Sequence, residues 1–299
     1  MAHQYFVSPE WLEANLDNEQ VRVVDATIFF DLDHDEMLRT GKEQYENVHI
    51  PGAVEANLFD LSDSEAKLPF TAAKQKDFVT KLEEMGISND THVVIYDSGP
   101  QVGVNYSASI WAARLAWQML YAGLEKVSIL EGGLDRWLAE NRVTSKEIIR
   151  YSKGHLQVEP KDQYYASKED VMKAIQDDTT NLIDALSPEQ FRGEIAPYGE
   201  DKAGHIPTSV NVFYGSMSDS ETGELISKNN LALKFLESDA LSPDIDIIIY
   251  CGFGVGASWI FMILKSLGKQ NVAVYDGSMD EWTQDSNCPI EKSKIDLDF

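Results

Sequence analysis

The chain holds two cysteines, and their surroundings differ. Cys251 follows the apolar run Ile247-Ile248-Ile249-Tyr250 and opens the stretch Cys251-Gly252-Phe253-Gly254-Val255-Gly256. Cys288 lies in Asn287-Cys288-Pro289, with no such turn beside it. The glycines after Cys251 let backbone N–H groups converge on one point, because glycine tolerates positive φ. A nest of that kind, backed by a helix N-terminus, receives an anion without a charged side chain. A thiol at its centre is expected to be acidified and to stand as thiolate, the attacking form. The same nest could then hold Cys–S–S⁻ once the thiolate has taken up a sulfur atom. The plainer alternative is that a cysteine at a strand end is a small buried hydrophobe.

A repeat favours the chemical reading. Val23-Val24-Asp25, His49-Ile50-Pro51, Val93-Val94-Ile95-Tyr96-Asp97 and Gly132-Gly133-Leu134-Asp135-Arg136-Trp137 recur in the same order. Their counterparts are Leu182-Ile183-Asp184, His205-Ile206-Pro207, Ile247-Ile248-Ile249-Tyr250-Cys251 and Gly277-Ser278-Met279-Asp280-Glu281-Trp282. The offsets drift through 159, 156, 154 and 145 residues. That is a duplicated domain with loop insertions, not the short period of a stacked array. Asp97 stands where Cys251 stands, and a packing cysteine would not be matched by an aspartate.

The elements that must position these residues follow from the apolar pattern. Runs at 21–26, 92–96, 127–130, 245–250 and 272–275 are β-rich, nearly continuous and bounded by turn residues, as buried strands are. Helices are expected at 72–85, with Thr71 as N-cap and Gly86 as the C′ residue, at 106–121 and at 257–267. Alternating strands and helices imply an α/β fold, each half a mainly parallel sheet flanked by helices. With 299 residues, the chain fits two domains of about 150 residues. Residues 1–140 and 161–299 are the expected domains, and the polar, weakly patterned stretch 141–160 the linker.

Composition narrows the partners. A net charge of −25 offers no basic stripe for nucleic-acid phosphates. It also sets a field that small anions must overcome. The apolar stretches 107–124 and 245–267 carry Arg114, Asp246 and Lys265 and read as core, not as membrane spans. Two cysteines make no disulfide framework, and residues 1–20 lack the pattern of a secretory signal, so a reducing cytoplasm is the expected setting.

With these motifs in place, the chain resembles the two-domain rhodanese family, which includes thiosulfate and 3-mercaptopyruvate sulfurtransferases, over nearly its whole length. The resemblance rests on the loop opened by Cys251, the Gly-His-Ile-Pro turn at 204–207, the Tyr275-Asp276-Gly277-Ser278 segment with Glu281-Trp282, and Asp97. It implies two tandem rhodanese-like domains, the first inactive because Asp97 replaces the cysteine and the second catalytic through a Cys251 persulfide. It implies a loop of Gly252, Phe253, Gly254, Val255 and Gly256 around the sulfur, with no metal or organic cofactor. A small sulfur donor or a protein persulfide would load the site, and a thiol or cyanide-like acceptor would unload it. Family members that handle small anions commonly carry arginines near positions held here by Gln190 and Tyr198, and a loop serine where Phe253 stands. Arg192 and Lys202 are the neighbouring cations that could substitute, or they are ordinary surface residues. His49 and His205 occur in both halves and are expected to hold turns. A persulfide carrier with little small-anion turnover is the alternative. A cysteine phosphatase would need an arginine where Ala257 stands.

Overall fold

The computed structural model describes residues 3–30, 38–98 and 108–293. The chain divides into two compact units, Met1–Asp162 with Ser218–Ile226, and Gln163–Met217 with Ser227–Phe299.

The first unit carries β1 (Phe6–Val7), β2 (Val21–Asp25), β3 (Ile28–Phe30), β4 (Leu38–Thr40), β5 (Val54–Glu55), β6 (His92–Tyr96) and β7 (Val127–Leu130). Five of them form a parallel sheet in the order β1-β7-β6-β2-β5, while β3 and β4 pair separately and antiparallel. The second unit carries β8 (Tyr165–Ala166), β9 (Thr180–Asp184), β10 (Val210–Asn211), β11 (Asp246–Tyr250) and β12 (Val272–Tyr275). Its sheet, β8-β12-β11-β9-β10, is likewise parallel and repeats the first order strand for strand. The expected fold class, two mainly parallel sheets with helices, is what the chain adopts.

The duplication extends to hydrogen bonds. Tyr96 lies opposite Asp25 and Tyr250 opposite Asp184 in the register of the two sheets. The Tyr250 hydroxyl accepts the Ile206 N–H at 3.0 Å, and Tyr96 accepts that of Ile50 at 3.4 Å. Each buried tyrosine thereby holds the turn after a repeated histidine. Trp137 and Trp282 both close a C-terminal turn by donating from Nε1, to the carbonyls of Val143 and Pro289.

Two twelve-residue helices, Ile110–Tyr121 and Val255–Ser266, follow β6 and β11 and are buried along nearly their whole length. They are apolar nearly all round because they pack deep against their sheets. The first of them begins at Ile110, and Tyr106, where the sequence pattern placed its start, lies outside the described residues. The helix expected at 72–85 spans Gln75–Glu84. Thr71 does not cap it: the Thr71 hydroxyl donates to the Leu68 carbonyl, and Ala72 is tied to Ser62 in an antiparallel bridge. Gly86 ends it with φ +74° as expected.

Residues 141–160 hold no helix or strand, yet they lie along the first unit. Ser145 bridges to His49, the Arg22 guanidinium lies 3.0 Å from the Tyr151 ring centroid, and Glu83 accepts the Leu156 N–H at 3.0 Å.

Candidate active site

The sheet of the second unit ends its central strand, β11, at Tyr250, and Cys251 is the next residue. Burial leaves its residue surface 3% exposed. The chain then turns through Gly252, Phe253 and Gly254 into the helix Val255–Ser266. Gly254 is the N-cap, at φ +78°, in the left-handed region that a side chain would disfavour. Gly256 answers a different need, because a Cβ there would come within 2.7 Å of the Tyr214 ring. The glycines thus serve both the turn and the close approach of the helix to its neighbours.

Backbone N–H groups of Ala257, Phe253, Gly254 and Gly256 are directed at the Cys251 sulfur. Val255 lies between them, buried in the first helical turn. The helix starts two residues before the expected 257, so two of the four donors belong to its first turn. The thiol is nevertheless not acidified. Burial pushes the Cys251 thiol above its ordinary range, and the four N–H groups oppose that push without overcoming it. The expectation of a resting thiolate is therefore corrected. A nest of neutral dipoles offsets a charge only in part when the same site has been taken out of water.

A second segment fixes the strand end. Ser278 is fully buried at φ +49°, and its hydroxyl accepts the Cys251 N–H at 3.1 Å and donates to the Tyr275 carbonyl at 2.8 Å. Met279 N–H donates to the Cys251 carbonyl at 3.0 Å, and Asp280 N–H to the Gly252 carbonyl at 2.8 Å. Sequence reasoning quoted Ser278 as part of a motif without giving it a role. The available signal was its partner in the repeat: Gly133 takes the same left-handed conformation at φ +55°.

Of the three flanking residues expected at the site, Tyr198 reaches the loop. Its hydroxyl donates to the Gly252 carbonyl at 3.3 Å, and burial pushes its phenol well up, with Asp280 and Cys251 adding to the shift. Arg192 is committed elsewhere, bonded to Glu194 at 2.7 and 3.0 Å with Glu189 at 3.9 Å. Gln190 lies in the helix Pro188–Phe191, where its N–H is capped by the Ser187 hydroxyl. Lys202 ends a short 3-10 turn, Glu200–Lys202, and is half-buried.

The repeated histidines hold turns. His205 stacks on Phe191 with ring centroids 3.7 Å apart, and its Nδ1 lies 2.7 Å from the Phe191 carbonyl. His49 stacks on Tyr45 and lies between the carbonyls of Tyr45 and Glu147. Cys288 is half-buried against the cluster that includes Tyr275 and Trp282, and burial raises its thiol too.

In the first unit, the place of Cys251 belongs to the buried Asp97. Its Oδ2 accepts the N–H groups of Trp111 and Ala112 at 3.0 and 3.1 Å, in the first turn of the matching helix. Desolvation pushes its carboxyl up to about 7 in spite of those donors. Among the described residues, no group of three or more His, Cys, Asp or Glu is placed to hold a metal ion. No helix of the described residues is long and apolar enough to cross a membrane.

The chain is similar to known proteins over nearly its whole length. The chain is 30% identical to the 3-mercaptopyruvate sulfurtransferase of Escherichia coli K12, over 98% of its own length and all of the other protein's. It is 31% identical to thiosulfate/3-mercaptopyruvate sulfurtransferase 2 of Arabidopsis thaliana, covering 95% of this chain and 85% of that one. It is 29% identical to the sulfur carrier protein TtuD of Thermus thermophilus, covering 97% and 98%. The crystal structure of SseA from Escherichia coli superposes with a TM-score of 0.78 at 29% identity, over 92% of this chain and 98% of that one. The rhodanese-like domain model matches twice, at residues 8–140 and 167–285, so the chain belongs to the rhodanese family and carries two copies of its domain.

Proposed function

We propose that this protein is a sulfurtransferase in which Cys251 takes sulfane sulfur from a donor of the thiosulfate or 3-mercaptopyruvate type and passes it to a thiol or cyanide-like acceptor. The observation that carries the reading is the convergence of four backbone N–H groups on a buried cysteine at the end of β11. The Cys251 thiolate attacks the transferable sulfur of the donor; with 3-mercaptopyruvate the C–S bond breaks and pyruvate leaves as its enolate, so a persulfide remains. With thiosulfate the S–S bond breaks and sulfite leaves with the electron pair, so Cys251–S–S⁻ remains. A persulfide is a stronger acid than its parent thiol, so the cradle meets its full anionic charge after the transfer. Donors fixed in place before charge develops stabilise it without reorganising. The acceptor then attacks the terminal sulfur and restores the thiol, a two-step route through a covalent intermediate.

The first unit takes no direct part in this scheme, since the carboxylate of Asp97 cannot form a persulfide. Its N–H donors are already engaged by that carboxylate. A pure carrier role is the weaker reading, because enzymes predominate among the relatives named above and the cradle is intact.

The mass of the intact protein tests this after incubation with thiosulfate, 3-mercaptopyruvate or a cysteine-desulfurase system. One added sulfur atom is expected on the wild type and on Cys288→Ser, and none on Cys251→Ser. Loading that persists in Cys251→Ser would overturn the assignment.

A further inference from the structure

The charge around the loop bears on which donor this site accepts. Two donors converge on the Gly252 carbonyl: the Tyr198 hydroxyl at 3.3 Å and the Asp280 N–H at 2.8 Å. The Asp280 side chain therefore springs from the rim of the loop, half-buried, on a backbone hydrogen-bonded to the residue after Cys251. Burial pushes its carboxyl up, the Gln284 side chain hydrogen-bonds to it, and its charge is felt at Tyr198, whose phenol it helps to raise. In the duplicate, Asp135 occupies the matching place, and its Oδ1 accepts from the hydroxyl of Ser98, the residue after Asp97, at 3.2 Å. At the place of Ser98 the second unit has Gly252, which offers no hydroxyl. The guanidinium of Arg192 is meanwhile held by Glu194 and Glu189. The loop itself supplies only neutral dipoles, and Tyr198 a neutral hydroxyl.

We propose that Asp280 makes the Cys251 site select sulfur donors by charge, disfavouring dianions such as thiosulfate and favouring donors whose sulfane sulfur is attached to an uncharged group. The inference rests on the reading of Cys251 as the sulfur acceptor. Coulomb repulsion scales with the donor's charge, so a fixed negative charge at the rim repels a dianion about twice as strongly as a monoanion, and in a partly desolvated setting bulk salt screens only part of that repulsion. Tyr198, whose hydroxyl proton is engaged by the Gly252 carbonyl, brings no charge to offset the carboxylate.

Methanethiosulfonate is the matched probe, because it carries the same sulfane sulfur on a sulfonyl group with methyl in place of one charged oxygen. Cys251–S⁻ attacks its outer sulfur, the S–S bond breaks, and methanesulfinate leaves with the electron pair. The second-order rate of sulfur loading, read by intact mass, is expected to be about tenfold or more higher with methanethiosulfonate than with thiosulfate. The thiosulfate rate should rise with ionic strength, as repulsion between like charges is screened. Asp280→Asn, nearly isosteric, should raise the thiosulfate rate relative to the methanethiosulfonate rate by about threefold or more. Failure of every donor to load Cys251 would defeat the assignment of the sulfur acceptor itself. Loading in which thiosulfate matches methanethiosulfonate, or slows with added salt, overturns the charge selection alone. So does an unchanged ratio in an Asp280→Asn protein that still loads from methanethiosulfonate.

Discussion

At the residue scale, the Cys251 thiol is caught between two opposing effects, and their balance sets a pH dependence. Burial disfavours the thiolate, and the N–H groups of Ala257, Phe253, Gly254 and Gly256 favour it, with burial ahead. Thiolate is the reacting form, so its fraction at neutral pH is small and grows as pH approaches the raised folded value. The rate of alkylation of Cys251 by iodoacetamide, measured in Cys288→Ser, should therefore climb steadily from pH 7 to beyond 9. A plateau beginning below pH 8 would show instead that the dipoles prevail. The cradle was legible in the sequence, because three glycines after an apolar run with a cysteine at its end have few other uses. The direction of the thiol's shift was not, because it depends on how completely β11 and the helix Val255–Ser266 exclude water, and no residue pattern records that. The commitment of Arg192 to Glu194 and Glu189 was hidden for a similar reason: spacing gives proximity along the helix and says little about where a guanidinium turns.

At the element scale, the site depends on how β11, β12 and the helix Ser278–Trp282 are joined. Ser278 makes that joint, bonding the Cys251 N–H and the Tyr275 carbonyl from a left-handed backbone. A left-handed conformation costs a non-glycine residue roughly 1–2 kcal/mol, which the two buried hydrogen bonds offset. Ser278→Ala keeps the strain and removes both bonds, leaving two buried backbone groups unpaired, so a loss of about 2–4 kcal/mol is expected in urea unfolding. Ser278→Gly loses the same bonds but relieves the strain, as Gly133 does in the first unit, and should retain about 1 kcal/mol more stability than Ser278→Ala. Equal stabilities of the two variants would mean that the left-handed backbone carries no cost. The strands at 92–96, 127–130 and 272–275 were legible to the residue because continuous apolar runs ended at polar or glycine turns. Helix starts were not. Thr71 had the chemistry of a cap but was drawn into the turn closed by the Ser62–Ala72 bridge, and the glycines at 254 and 256 masked a helix that had already begun at Val255. Both errors arise where tertiary contacts decide among locally equivalent starts.

At the scale of the whole molecule, the duplication places a buried acid at the same point of both sheets and adds another in the first unit, and this shapes stability against pH. Desolvation pushes Asp184 and Asp97 up to about 7, and Asp25 is raised as well. A carboxyl raised in the folded state holds a proton that the unfolded chain releases, so each such group makes stability fall as pH rises from near 4 to near 7. His92 works in the opposite sense. Burial holds it down to about 4, so its neutral folded form is disfavoured relative to the unfolded chain as pH falls below its ordinary value. His205 is lowered by burial in the same way. The net charge of −25 adds to the acid side, since self-repulsion among carboxylates weakens as some of them protonate. Below about pH 4 the sign reverses, because Asp285, held down to about 2 chiefly by its hydrogen bond with Lys168, and other lowered carboxyls lose their partners. Two large carboxyl shifts and the net charge outweigh the histidines, so the melting temperature should be several degrees higher at pH 5.5 than at pH 8. Added salt should raise it at pH 8 more than at pH 5.5. Asp97→Asn and Asp184→Asn should each flatten the slope, and the pair together should flatten it further, while His92→Gln should steepen it. A melting temperature that rises from pH 5.5 to pH 8 in the wild type would mean that the histidines, not the buried aspartates of the repeat, govern the response.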